Sequence, residues 1–498
     1  MAKKYIAFFM ALILLCSCLA GCSNEITDEN TVSEAPTDAV KITDNTSFKL
    51  SYTKGDSLDP FKAKTQNNQI LADLVFESLF DLDESYEPIE NIATGYEFIS
   101  DTQLKVKIRT DILFSDGSSL DTDDVVFSLN AAKKSPAYGN SLKYIDYASA
   151  YDSGTVIFYL DRPNPYAVSL LTFPICSTRD NENGYPVGSG RYSYDEADGK
   201  VVLKANVTDN FSPYLTTINL VNIAAADSID NAVNIGNISY AFRDLSSSVS
   251  KRISSAKKLV NMNNLVYIGI NSMAGITANA QIRRAISLAA DRSVLTESAY
   301  FGYAVEAQST FNPSSKTAQN IKIFSSQADI ATSKQAIMQS GVEAKDLKLN
   351  ILVNKNNNRI ATATLLKSQL EAVGFTVKIE TEDAKEYTRR IKNVEFDIYI
   401  GEVKLADDMS LYPFFDKKGG VRYGIDLKNL TCDENYSAYL SGEADLGKFI
   451  ISFNEEMPYI PLLYKKGMIC YSKAMNGDMQ GYYGNFFSNI ESWNFISE

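Results

Sequence analysis

The stretch "LKLNILVNKNNNRIATATLLKSQLEAVGFTVKIE" (347–380) changes its hydrophobic period twice. Leu347, Leu349, Ile351 and Val353 recur at every second position, the period of a strand with one buried face. From about 358 to 373 the apolar positions Ile360, Ala363, Leu366, Leu370 and Val373 fall at helical spacing. Gly374 then supplies the residue best able to end a helix in a left-handed conformation. A second strand, "FTVKIE", follows, then a polar helix through Tyr387 and Ile391, then "FDIYIGE" (396–402). Strand, helix, strand, helix, strand is the pattern of a parallel sheet with right-handed crossovers. Residues 340–402 are therefore expected to form an α/β unit.

The same mixture extends outward. "TQLKVKIRT" (102–110) sets Leu104, Val106 and Ile108 against Lys105, Lys107 and Arg109, and "TVIFYLD" (155–161) reads similarly. In "QIRRAISLAADR" the stripe Ile282, Ala285, Ile286 and Ala289 predicts a packed helix with Arg283 and Arg284 facing away. At 498 residues the chain exceeds one ordinary core, so two or three folding units are expected. The formal charge of −13 makes a surface that repels phosphate backbones, which argues against nucleic acid as a partner. The chain holds no histidine. Histidine metal ligands, Ser-His and Cys-His nucleophile pairs and every histidine general base are thereby excluded.

Four aspartates crowd "FSDGSSLDTDDVVFSL" (114–129). Asp121 fits a helix N-cap with Asp124 at N3, a variant of the capping box, and Asp123 adds negative charge to the first turn. A calcium loop needs oxygens spaced as D-x-[DN]-x-[DN]-G-x₅-E. Here Gly117 directly follows Asp116 and no glutamate closes a loop, so the aspartates are read as starting a helix. No metal and no cofactor is expected.

The first residues, "MAKKYIAFFMALILLCSCLAGC", place two lysines before an apolar run too short for a comfortable permanent span, then small residues. Leu19-Ala20-Gly21-Cys22 resembles the lipobox of bacterial lipoproteins. That resemblance implies a signal peptide over 1–21 and a diacylglycerol on Cys22, with a disordered acidic tether over 22–47. Cys176, Cys432 and Cys470 show no paired spacing, and isolated buried thiols are expected.

The ordered set "LDPF" (58–61), "VFESLFDLD" (75–83), "FSDG…DDVVFSL", "PVGSGRY" (186–192), "NLVYIGIN" (264–271), "QIRRAISLAADRSVL" (281–295) and "MPYIPLLY" (457–464) resembles family 5 of the bacterial extracellular solute-binding proteins. The resemblance runs from about residue 48 to the C-terminus. It implies an α/β, two-lobed fold of the periplasmic-binding-protein type II class, with an extra subdomain and a hinge between the lobes. By that analogy lobe I takes 48–68, 184–262 and 468–498, the subdomain 69–183 and lobe II 263–467. In this family an acidic side chain of lobe II commonly holds a peptide α-amino group. The matching stretch "GEVKLADDMSLYPFF" (401–415) lacks the usual tryptophan but offers Asp407 and Asp408. Arg359, Tyr52 and Tyr423 are further candidates for ligand contact, against readings as a solvated helix-face arginine and as packing tyrosines.

The function so implied is that of a substrate-binding lipoprotein of an ABC importer, monomeric, on the outer face of the cytoplasmic membrane. Its expected partners are a peptide and the permease and ATPase subunits. Another solute, such as an oligosaccharide or a chelate, is the first alternative, and a receptor for peptide signals the second. An exported carboxylate-pair hydrolase is the remote one. H-E-x-x-H, G-x-S-x-G, C-x-x-C and phosphate-binding glycine loops do not occur, so the chain is read as no enzyme.

Overall fold

The computed structural model describes residues 47–245 and 254–496. The expected leader, Cys22 and all but the last residue of the expected tether lie outside them.

The α/β unit forms with bounds close to those the periodicity gives. Strands Lys348–Asn354 and Thr376–Glu382 pair in parallel around helix Asn357–Val373, and Ile398–Lys404 pairs in parallel on the other side of Lys348–Asn354. Gly374 ends the helix at φ 117°, where its missing Cβ removes the usual penalty. The polar helix Ala384–Lys392 lies between the last two strands, capped by Asp383.

This unit is one end of an 11-stranded sheet among the described residues. At the other end, strands Tyr192–Ala197, Lys200–Ala205, Thr217–Asn222, Phe48–Tyr52 and Tyr240–Asp244 follow one another. Two long antiparallel strands, Ala256–Ile270 and Tyr459–Tyr471, lie between the ends and belong to both. A separate antiparallel sheet is built from Ala93–Ser100, Gln103–Ile108, Thr155–Leu160 and Ile145–Asp152.

The hydrophobic core divides where the long strands lose register. Asn261 pairs with Lys466 and the next pair is Leu265 with Tyr464, so Met262, Asn263 and Asn264 face Lys465 alone. One core holds Val260, Met262 and Ile469 together with Phe48, Leu50, Tyr240 and the four-stranded sheet's Val106 and Phe158. The other takes the two strands from Leu265 and Tyr464, encloses Ile351, Leu366 and Ile398 and receives Leu82, Tyr86 and Tyr144, and a small third cluster holds Ile223, Ile229, Met468 and Cys470. Trp493 is 0% exposed in the first core, against Phe48 and Tyr240. Cys176, Cys432 and Cys470 are buried and free.

The stripe Ile282, Ala285, Ile286 and Ala289 is buried in helix Ala280–Ala289, and Arg284 is exposed. Arg283 corrects the reading that both arginines face away. It is buried and donates to the carbonyls of Thr277, Ala278 and Glu456, at the short helix Ile276–Ala278 and the end of helix Leu446–Glu456.

Three of the four aspartates, Asp121, Asp123 and Asp124, start helix Thr122–Ala132. Asp121 accepts from the Asp123 and Asp124 amides at 2.8 and 3.2 Å, and Asp124 returns a bond to the Asp121 amide at 3.0 Å. Asp116 accepts from the Ser118 amide and hydroxyl in the preceding turn. Asp121→Ala is expected to lower stability by about 1 kcal/mol, read as a shifted urea midpoint with unchanged slope. Asp121→Asn should keep most of that stability.

Candidate functional site

At the break in register the backbone loses partners that side chains must replace. Asn263 is 0% exposed; its carbonyl accepts from the Leu405 amide at 2.9 Å and its amide nitrogen donates to the Ala406 carbonyl at 3.3 Å. Its oxygen accepts from Asn312 at 2.7 Å, and Asn312 also donates to the Met262 carbonyl at 3.1 Å. A charged chain runs beside it. Lys465, 1% exposed, lies 3.2 Å from Asp244 and 2.9 Å from Glu402, and Glu402 is 2.9 Å from Arg359. Burial alone would raise the Glu402 carboxyl, but Lys465 and Arg359 together hold it down at about 2.

The segment tied down by Asn263 leads to a cavity of about 410 Å³. Lys404 and Asp407 line it from the half that contains the α/β unit. The opposing lining comes from helix Gln66–Val75 and the chain after it, with Asp73, Glu77 and Asp81, and from Tyr138, Arg191 and residues 483–486.

Two glycines set this wall. A Cβ on Gly188 would lie 2.0 Å from the Val75 carbonyl oxygen, and one on Gly190 2.5 Å from the Val75 carbonyl carbon. The "VGSGR" segment thus passes flush against the end of helix Gln66–Val75, with the Gly190 amide on the Val75 carbonyl at 3.0 Å. Arg191 follows, and its guanidinium is committed to carbonyls, those of Phe487 at 2.9 Å and Asp73 at 3.2 Å.

Arg191 therefore acts on the cavity carboxyls through its charge and not through a side-chain ion pair. Burial pushes Asp73 up to about 7, against one amide bond from Phe486 and the more distant Arg191. Burial and the Asp81 charge raise Glu77. Burial raises Asp407 also, against Lys404 and a 3.5 Å contact with Asn263. Among the described residues no group of three or more Cys, Asp or Glu is placed to hold a metal ion.

Of the five sequence candidates in the described residues, Asp407 lines this cavity. Asp408 turns the other way. It is buried, accepts from Asn164 at 2.7 Å and the Ser410 amide at 3.0 Å, and burial pushes it up to about 6. Arg359 belongs to the charged chain at the register break, in place of the solvated helix face. Tyr52 and Tyr423 are half-buried and pack on the first and second cores. Asp73, Glu77, Asp81, Arg191 and Lys404 were not singled out by sequence reasoning. Carboxylates at 73, 77 and 81 inside the apolar run "LADLVFESLFDL" are the signal that points to them.

A clasp outside the cavity joins the halves. Arg162 lies between the rings of Tyr144 and Tyr412, 4.6 and 4.7 Å from their centres, and pairs with Asp161 at 2.8 Å and Asp416 at 2.7 Å. Lys418 reaches Asp161 at 2.8 Å.

Two halves joined by shared strands, with a cavity where they meet, define the two-lobed class of solute-binding proteins. The family described as "Bacterial extracellular solute-binding proteins, family 5 Middle" matches residues 87–421, and the chain belongs to this family of extracytoplasmic solute-binding proteins. It is 22% identical to the oligopeptide-binding protein AppA of Bacillus subtilis, over 84% of this chain and 89% of that one. It is 24% identical to the periplasmic murein peptide-binding protein MppA of Escherichia coli, over 69% of this chain and 72% of that one. The unliganded open form of MppA shares the fold with a TM-score of 0.72 at 19% identity, covering 91% of this chain and 98% of that one. Bacillus subtilis AppA in complex with a nonapeptide gives 0.60 at 18% identity, covering 91% and 99%.

The raised Asp73 carboxyl has a measurable consequence. Unfolded, it loses its proton near 3.8; folded, it keeps it to about 7. Its contribution to stability is thus fully present below about pH 4 and is lost as pH rises through about 7. Relative to Asp73→Asn, the protein as it stands should lose stability across that window and be level above it, as read by chemical denaturation at successive pH values.

Proposed function

We propose that this chain is the substrate-binding lipoprotein of an ABC importer, capturing extracellular peptides between two lobes and delivering them to a membrane permease. The observation that carries the reading is the cavity at the junction of the halves, with Asp407 on one wall and Asp73, Glu77 and Asp81 on the other. Asp407 is the acceptor for a peptide α-amino group. It follows the strand Ile398–Lys404, and the Asn263 bonds fix the backbone before it. The names of the relatives, oligopeptide-binding and murein peptide-binding, support a peptide over a sugar.

In this reading lobe II is 263–467, bounded by the register break, and lobe I is 48–68 with 184–262 and 468–498. The subdomain 69–183 shares most of its core with lobe I, sends Leu82, Tyr86 and Tyr144 into that of lobe II, and clasps lobe II through Arg162. Closure about the two long strands traps the ligand and presents a joined surface to the permease, with ATPase subunits driving import. The protein acts as a monomer, tethered to the outer face of the cytoplasmic membrane by lipid on Cys22, and makes or breaks no bond in its ligand.

A ligand that binds only the folded state stabilises it by about 2.7 kcal/mol at a hundredfold excess over Kd. Thermal shift against mixed tri- to pentapeptides and against oligosaccharides should show a rise with peptides alone. A rise confined to sugars would overturn the assignment. Asp407→Asn should weaken peptide binding about tenfold or more, as loss of a bond to a charged group costs about 1.5–3 kcal/mol.

The anchor is tested separately. Cys22→Ser should abolish labelling by a fatty-acid probe and either release the protein or leave it as precursor. Labelling that persists in the variant would refute the anchor at this residue.

A further inference from the structure

The cavity has more acid than its ligand's α-amino group requires. Asp407 suffices for that group, yet Asp73, Glu77 and Asp81 stand on the facing wall. Their compensation is incomplete. Arg191 spends its hydrogen bonds on the carbonyls of Asp73 and Phe487. Asp81 accepts from the Ser78 hydroxyl at 3.0 Å and from Asn91 at 3.4 Å, and Asp73 from the Phe486 amide at 3.2 Å, none of which is a cation. Lys404 is the remaining lining cation; it is drawn to Asp407 and lies over the Tyr483 ring, 5.1 Å from its centre, and no ion pair joins it to Asp73, Glu77 or Asp81 among the described residues.

A second feature of the same wall asks for a donor. Asn485 lines the cavity, and its buried Oδ1 has no hydrogen-bond partner. A buried acceptor left so costs about 1–3 kcal/mol unless something supplies an N–H. Ammonium and guanidinium groups carry three and five donors and no acceptor. The volume, near the lower end of the roughly 300–1,000 Å³ of small-molecule sites, suits a short ligand.

We propose that the cavity selects short peptides bearing a lysine or arginine, whose side-chain cation sits against the wall of Asp73, Glu77, Asp81 and Asn485. This rests on the peptide reading above and adds the charge class of the ligand. An acidic side chain would meet like charges in a site from which closure removes screening water, and like-charge contact is the stronger source of discrimination. Burial raises the Asp73 and Glu77 carboxyls, and the charge of Arg191 does not offset it.

Calorimetric titration of the full protein decides it, with trialanine, the three tripeptides carrying one lysine and the three carrying one glutamate. At least one lysine peptide should bind tenfold or more tightly than trialanine, and no glutamate peptide should exceed trialanine. In Glu77→Gln/Asp81→Asn the lysine-to-alanine affinity ratio should fall towards one. Asp73→Asn, a single isosteric change, serves as the second variant should the double one not fold, with the ratio expected to drop at least threefold. A ratio near one in the unaltered protein, a preference for glutamate, or a lysine preference unmoved by the variants would each overturn the proposal while leaving peptide binding intact. Failure of all seven peptides to bind would instead bring down the peptide reading beneath it.

Discussion

The structure depends on the wider of two register breaks between two antiparallel strands. Ala256–Ile270 and Tyr459–Tyr471 run through both halves of the main sheet. An unbroken ladder there would make the halves one stiff sheet and their cores one core. Three residues, Met262 to Asn264, opposite the single Lys465 break the ladder, and the two large cores stop at the break. Such a bulge leaves main-chain groups unpaired and bends the strand, so its position must be held from outside. Asn263 and Asn312 hold it by hydrogen bonds to the chain on either side. Lys465 adds a buried charge at the same level, matched by Asp244 and Glu402, with Arg359 behind Glu402. Removing one member of such a set leaves an uncompensated buried charge and costs about 3–5 kcal/mol.

The interruption also aims the site. Asn263 binds the Leu405 amide through its carbonyl and the Ala406 carbonyl through its side chain. The residue that follows is Asp407, on the cavity, and the next is Asp408, locked to Asn164. Adjacent aspartates thus face opposite ways, one towards the space between the halves and one towards the contact that joins them. A shift of one residue in this segment would exchange their roles. The bond from the bulge to the backbone fixes the register, which links the waist of the molecule to its ligand wall.

How much of this was legible in the sequence follows from how local each cause is. The strands and helices of 347–402 were readable because alternate and three-to-four spacing are set within a few residues, and Gly374 marks its own turn. The Asp121 cap was readable for the same reason. Arg283 was not: its stripe put it outside, and carbonyls from residues 277, 278 and 456 draw it in. Asp407 and Asp408 were reached together, through the family resemblance of the segment after a readable strand, and nothing in the sequence said which of them lines the cavity. Arg359 was noticed for its charge, but its partner Glu402 lies 43 positions away. The acid wall is more distant still. Asp73 acquires its surroundings from Phe486, 413 positions on, and no periodicity carries that information.

The same kind of side chain is treated in opposite ways a short distance apart, and the contrast bears on how the molecule works. At the waist Glu402 is flanked by two cations and held at about 2, fully ionised and spent on structure. In the cavity Asp73 is pushed to about 7, and Glu77 and Asp407 are raised. If the folded chain neutralised its cavity acids as it neutralises Glu402, a cationic ligand would have to break those pairs to enter, and much of its binding energy would vanish in the exchange. Leaving the acids short of cations keeps the cost in the empty protein and the gain in the filled one. On the proposed reading that difference would drive closure, because a ligand shifts an open–closed equilibrium only by its differential affinity for the two states. Acid in excess on one wall, set against a hinge whose own charges balance, is how the proposed ligand would couple occupancy of the cavity to the position of the halves.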